Sequence, residues 1–261
     1  MKSFAALVLI LSLFVSVNAQ VKTKINGSFT TATTATNITL ENFLTPGEFS
    51  LMADIKDGKF NMEFECKRED IFKLKFADKN YLALVIKPGD KITLKLNPDA
   101  LGINPEISGS EQSKRIYDVE TQLGNIKTSQ DSLNTVYGTI SPTDAVRKKE
   151  LEDHYNLLEN QKNTLLYNIV SDNKGDLVNM FFVERLNIDQ YYELYAAVDS
   201  AVYPKYSYNP AVAGLHSKVN SNKVTAVGSK APEIKMPTPE GDSMSLYDVK
   251  GKIIIIDFWA S

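Results

Sequence analysis

The chain has 261 residues, 43% hydrophobic and 23% charged, with a formal net charge of -3 and a pI near 5.6. This composition suits one substantial core or two modest domains and excludes a disordered polymer. Nucleic acid is not an expected partner, because phosphate binding needs a clustered positive field. Runs such as Lys67-Arg68-Glu69-Asp70 and Arg147-Lys148-Lys149-Glu150 instead mix both signs, as a solvated face does.

Residues 1–19 carry Lys2, an apolar run from Phe4 to Val15 and the small-residue exit Ser16-Val17-Asn18-Ala19, the pattern of a secretory signal peptide. The run is short of the roughly 20 residues that span a bilayer, so no stable membrane span is expected. Gln20 follows where a lipoprotein would carry an acylated cysteine. The expectation is a soluble exported protein, periplasmic if the source is Gram-negative. Cys66 is the only cysteine, so no internal disulfide forms. It shares one side of an alternating stretch with Phe60, Met62 and Phe64, which predicts a buried small hydrophobe.

Residues 20–108 read as a β-rich domain. Asp57-Gly58 between apolar runs predicts a hairpin. Phe72, Leu74 and Phe76 alternate with Lys73 and Lys75, as in a sheet with one wet face. Lys87-Pro88-Gly89-Asp90, between Tyr81–Ile86 and Ile92–Leu96, predicts a second hairpin. Short strands at this spacing argue for a small antiparallel sandwich or barrel.

From 109 to 220 the apolar period becomes helical. Ile116, Val119, Leu123, Ile126, Leu133 and Tyr137 form one stripe, interrupted at Gln130; Leu151, Tyr155, Leu158, Leu165 and Ile169 form another. Two antiparallel helices joined near Gly138 follow, the second capped by Ser141 with Pro142 at its first position and Asp144 in its first turn. Further helices are predicted over 176–186 and 189–198. The tyrosines between 191 and 208 fit helix packing. His154 and His216 lack companions at metal spacing, and neither a metal nor a catalytic role is assigned to them.

Residues 221–230 are polar and small, as a linker would be. A new pattern begins with Ala231-Pro232, a turn at Pro239–Asp242, and Ser245–Val249 as a capped helical turn. Ile253–Ile256, four β-branched residues in a row, suit a central strand buried on both faces.

The stretch from Val227 through Ala231-Pro232-Glu233, Gly241-Asp242, Leu246-Tyr247 and Gly251-Lys252 to Asp257-Phe258-Trp259-Ala260-Ser261 resembles the opening of secreted thioredoxin-like proteins. These are the TlpA/ResA type within the AhpC/TSA and redoxin superfamily. The region around Ile86–Leu94, Ile107–Ser110 and the helical hairpin is similar to a domain of unknown function that often precedes such domains in exported bacterial proteins.

The resemblance implies an α+β, multi-domain chain: a sandwich or barrel, a helical hairpin region, and the start of a thioredoxin-like α/β domain at 231–261. In the family a Trp-Cys-x-x-Cys motif follows at once. Its first cysteine attacks a substrate disulfide as a thiolate, and the second resolves the mixed disulfide. The expectation is therefore a fragment of a thiol:disulfide oxidoreductase, incomplete just before that motif and inactive as it stands. Asp257 matches the family's buried acid, which assists proton transfer at the resolving cysteine. Phe258, Trp259 and Ala260 match positions flanking the active site. A peroxiredoxin shares Ala231-Pro232 but needs a proline soon after the strand, where this chain has Trp259. The other alternative is a non-enzymatic exported binding or scaffold module. Protein disulfides are the implied substrates, with a possible protein partner for the β-rich domain and no cofactor.

Overall fold

The structure, a computed structural model, describes residues 22–76, 80–224, 228–251 and 253–257. The proposed signal peptide at 1–19 and Phe258, Trp259 and Ala260 lie outside them. The chain is α+β: two four-stranded sheets, a region of four helices, and a small C-terminal hairpin.

Eight strands come first: β1 (Thr23–Phe29), β2 (Asn37–Asn42), β3 (Ser50–Asp54), β4 (Lys59–Phe64), β5 (Asp70–Phe76), β6 (Asn80–Ile86), β7 (Lys91–Leu96) and β8 (Glu106–Ser108). They form two sheets ordered β4-β1-β7-β8 and β3-β2-β5-β6. Between the sheets lies a core that includes Ile25, Leu40, Leu74, Leu84, Ile92 and Leu94. In β1, Gly27 leaves room for the Phe60 ring, which a Cβ there would meet at 2.0 Å.

The two turns behave differently from the predicted hairpins. Asp57 and Gly58 both have positive φ, as the tight Asp-Gly turn requires, and Lys56 bridges to Lys59. Yet β3 and β4 on either side belong to different sheets. The Lys87–Asp90 turn also forms, with Asp90 N–H donating to the Lys87 carbonyl and Gly89 at φ 83°. It joins no hairpin: β6 pairs with β5, while β7 runs parallel to β1. The reason is local. Thr23 Oγ1 accepts from Gly89 N–H at 3.0 Å and Lys24 N–H donates to the Asp90 carbonyl at 2.8 Å, so the start of β1 captures the turn and its outgoing strand.

Helices α1 (Glu111–Thr139) and α2 (Ala145–Asp172) form the expected antiparallel pair. At 1.5 Å per residue each is about 40 Å long. α1 runs unbroken through Gln130, which is buried and donates its amide to Glu159 of α2 at 3.1 Å. The polar interruption in the stripe is thus satisfied across the hairpin. The cap of α2 is Asp144, whose side chain accepts from Arg147 N–H, because Ser141 turns its hydroxyl to Thr143 instead.

The segment predicted as a helix over 176–186 forms two 3-10 turns, Leu177–Phe181 and Val183–Arg185. Leu177, Val178, Phe182, Val183 and Leu186 are buried, while Glu184 and Arg185 remain exposed, so the segment anchors to the core through irregularly spaced apolar residues rather than through one helical stripe. Then come α3 (Ile188–Tyr206), longer than predicted, and α4 (Pro210–Asn222).

These helices pack on the outer face of the β3-β2-β5-β6 sheet. Ile71, Ala83 and Val85 share a second core with residues such as Ile116, Val170, Phe182, Tyr195 and Val198. Burial of β6 on both faces explains its continuous apolar run. The wet part of the sheet keeps Lys73 and Lys75 around Glu41, at 3.0 and 3.6 Å. The hydrogen bond from Lys73 foremost holds the Glu41 carboxyl below its ordinary range.

Strand β6 is at an edge of its sheet, and α1 closes that edge with side chains. Tyr117 Oη accepts from Ala83 N–H at 2.7 Å and donates to the Ala83 carbonyl at 3.1 Å. Ser113 Oγ does the same for Val85, at 2.9 and 3.0 Å. Tyr117→Phe leaves both Ala83 groups unpaired. It is expected to destabilise the fold by about 1–3 kcal/mol. Urea denaturation checks this; an unchanged midpoint would sink the account.

After the helices, β9 (Lys235–Pro237) and β10 (Ser243–Ser245) form a hairpin that leads into a 3-10 turn at Leu246–Asp248 with a capping box on Ser245. The predicted strand at Ile253–Ile256 does not form. Residues 253–257 are irregular and exposed. A strand needs a neighbour for its N–H and C=O groups, and no described strand lies alongside.

Candidate functional site

Polar chemistry concentrates where the sandwich meets the helices, in the connection from β4 to β5. Cys66 directs its thiol hydrogen to the Arg68 carbonyl at 3.0 Å, with the Ile86 carbonyl at 3.8 Å. Arg68, Glu69 and Asp70 then grip the helical region in turn.

Arg68 lays its guanidinium over the Tyr208 ring at 3.9 Å and reaches Glu48 at 3.4 Å. Glu69 accepts from the Gln112 amide at 2.6 Å and the Tyr206 hydroxyl at 3.0 Å, and its carbonyl accepts from Tyr208. Asp70, which is buried, accepts from Ile71 N–H at 2.8 Å, from Asn209 at 2.7 Å and from Asn42 at 3.4 Å. Asn209 in turn caps α4 by accepting from Ala211 N–H at 2.9 Å. A cavity of about 340 Å³ opens beside this connection, lined by Phe49, Phe64, Phe72, Cys66 and Arg68 among others.

These groups are arranged to hold, not to react. The Cys66 thiol is hydrogen-bonded to carbonyls rather than to an imidazole or carboxylate, and burial pushes its pKa up to about 11. The thiolate, the form that attacks disulfides and peroxides, is therefore scarce near neutrality. Burial likewise raises Tyr206, helped by the charge on Glu69, and pushes Tyr208 up to about 12. Both hydroxyls thus stay protonated as donors. Native protein is expected to leave Cys66 unmodified by an aromatic disulfide reagent at about pH 8, while denatured protein releases one equivalent of chromophore. Rapid labelling of the native chain would show that the thiol is accessible.

His154 lies exposed on α2. His216 joins α4 to α3: Nδ1 is 2.9 Å from Asp199, Nε2 is 3.0 Å from the Asn220 amide, and the Tyr203 ring stacks on the imidazole at 3.7 Å. An aspartate–histidine pair is a general-base arrangement when a nucleophile meets Nε2. Here Asn220 takes that position. The spacing of 199 and 216 carries no sign of the pair, which depends on how α3 folds back on α4. Among the described residues, no group of three or more histidine, cysteine or acidic side chains is placed to hold a metal ion.

Asp257 is exposed, without the burial that the resemblance asks of it. Nearby, the C-terminal hairpin holds itself together: Ser245 donates to Glu233 at 2.7 Å, Tyr247 bonds the Ala231 carbonyl, and Lys230 sits over the Tyr247 ring at 4.4 Å. Among the described residues, no helix is long and apolar enough to cross a membrane. Searches of family models, curated proteins and solved structures find no match to this chain.

Proposed function

We propose that residues 22–224 form a non-catalytic recognition and positioning module of an exported thioredoxin-like thiol:disulfide oxidoreductase, whose α/β domain begins at about residue 231. The reading rests on the sequence likeness of 227–261 to the opening of such domains. One structural observation supports the division of labour: the only thiol, Cys66, is 6% exposed and bonded to carbonyls, so disulfide exchange falls to a different part of the protein. The network at Arg68, Glu69 and Asp70 suits the module to a positioning role, since it fixes helices and sandwich against each other.

Export, to the periplasm in a Gram-negative source, is part of the proposal and rests on residues 1–19. Protein disulfides are the proposed substrates of the complete enzyme, and Asp257 is its proposed proton-transfer acid. A second reading, a binding or scaffold module with no thiol chemistry, is favoured by the same sealed thiol. Sequencing the gene through and beyond the codon for Ser261 separates the two. An in-frame Trp-Cys-x-x-Cys within a few codons is the result expected of the oxidoreductase; a stop codon there in independent isolates would overturn it in favour of the second reading.

A further inference from the structure

Asp70 does not use its two carboxylate oxygens equally. Oδ1 accepts from Ile71 N–H at 2.8 Å and from Asn209 at 2.7 Å. Oδ2 has only the Asn42 amide at 3.4 Å and Arg68 Nε at 3.8 Å, both long for a donor to a charged oxygen. Asn42 is half-used as well. Its amide nitrogen is turned to the carboxylate, which leaves Oδ1 as an acceptor to which no described residue donates. Asp70 and Asn42 are each 7% exposed, and both line the 340 Å³ cavity at the β4–β5 connection. Two buried side chains thus bring unused acceptor capacity to one space.

The rest of the cavity limits what can answer them. The Phe49 ring lies 5.1 Å from that of Phe64 and 5.6 Å from that of Phe72, and the latter two are 6.2 Å apart, so three rings form a continuous apolar wall. Among the charged lining residues, Glu48, Glu65 and Asp70 stand against Lys67 and Arg68. Arg68 is committed to Glu48 at 3.4 Å and to the face of Tyr208, away from Asp70 Oδ2. The balance favours a cationic guest. The volume is at the lower end of small-ligand pockets and suits a single ring with a short polar head.

We infer that this cavity binds a small primary amine with a phenyl-sized apolar group, its ammonium shared between Asp70 Oδ2 and Asn42 Oδ1 and its apolar part against Phe49, Phe64 and Phe72. A primary ammonium carries three N–H donors, enough to reach both acceptors in charge-assisted bonds. The site does not rest on the oxidoreductase reading. A stop codon after Ser261 would leave it standing, and failure of an amine to bind would leave that reading as it is.

The probe is benzylamine, added near neutral pH to the isotope-labelled full chain and followed by heteronuclear NMR. Saturable shifts are expected at the Asn42 side-chain amide and at the backbone amides of Phe49, Phe64 and Phe72, with a Kd of about 0.1–1 mM for a ligand of this size. Two control ligands separate the contributions. Benzyl alcohol keeps the ring without the charge, and benzyltrimethylammonium keeps ring and charge without N–H donors; each should bind about tenfold more weakly or worse. Asn42→Ala should weaken benzylamine about tenfold, and so should Phe49→Ala. The ligand series decides the matter if a variant does not fold, as circular dichroism would show. The inference is overturned by no saturable shift up to about 10 mM, by shifts centred outside this cavity, or by equal binding of either control ligand or of a folded Asn42→Ala chain.

Discussion

Asp70→Ala is expected to lower the free energy of unfolding by about 2–4 kcal/mol, one of the largest losses from a single polar change in this chain. The carboxylate accepts from Ile71 N–H, from Asn209 and from Asn42, and it is buried with both asparagines. Alanine removes the acceptor and strands those donors, so the cost is their desolvation rather than the mean value of a hydrogen bond. Asp70→Asn should cost less, since its remaining oxygen can serve one donor while its amide faces another. Asn209→Ala should cost about as much as Asp70→Ala, because it also uncaps α4.

The double variant locates the effect. The two residues share a bond and lie 139 positions apart in sequence, so their losses should fall well short of additive. Urea denaturation of the four proteins gives the cycle. Additive losses would mean that Asp70 and Asn209 act separately. Hydrogen exchange adds a second reading: in Asp70→Ala, amides of α4 should exchange faster while those of β2 and β7 change little. Unchanged α4 exchange would argue against a grip of the β4–β5 connection on the helices.

Local grammar was legible where it is self-contained. The alternation of Phe60, Met62, Phe64 and Cys66 gave the buried face of β4, and Asp57-Gly58 gave its turn. The α+β architecture followed from the change of period near residue 109. Pairing was less legible. A turn fixes a reversal of direction but not a hydrogen-bond partner, so Lys87–Asp90 looked like a hairpin although β7 lies beside β1. No local pattern in the sequence announces a parallel pair built from strands more than sixty residues apart.

The candidate site was hardest to read, for the same physical reason. Arg68-Glu69-Asp70 looks like a solvated run of mixed charge. Its role appears only once Tyr206, Tyr208 and Asn209 are brought to it by the fold of α3 and α4. The His216–Asp199 pair was hidden likewise. Gln130 broke the apolar stripe of α1, and only the arrival of Glu159 from α2 explains why the helix tolerates it.

Replacing Ile253 and Ile255 together by lysine is expected to raise the solubility limit of the chain several-fold and to abolish concentration-dependent association. These two side chains are 85% and 89% exposed, in an unbroken run of four β-branched residues with no proline. Such a run has high strand propensity and no neighbour here to satisfy it, the conditions under which identical segments of separate chains pair. Charge on alternate positions opposes that pairing through repulsion between copies. The resemblance gives the same run a different fate, since in a thioredoxin-like sheet it would be a buried central strand. Amide exchange distinguishes the two environments. In monomeric wild-type chain, residues 253–256 should exchange nearly as fast as an unstructured peptide, and light scattering should rise with concentration. Strong protection of those amides in a verified monomer would mean that the run has found a strand within its own chain.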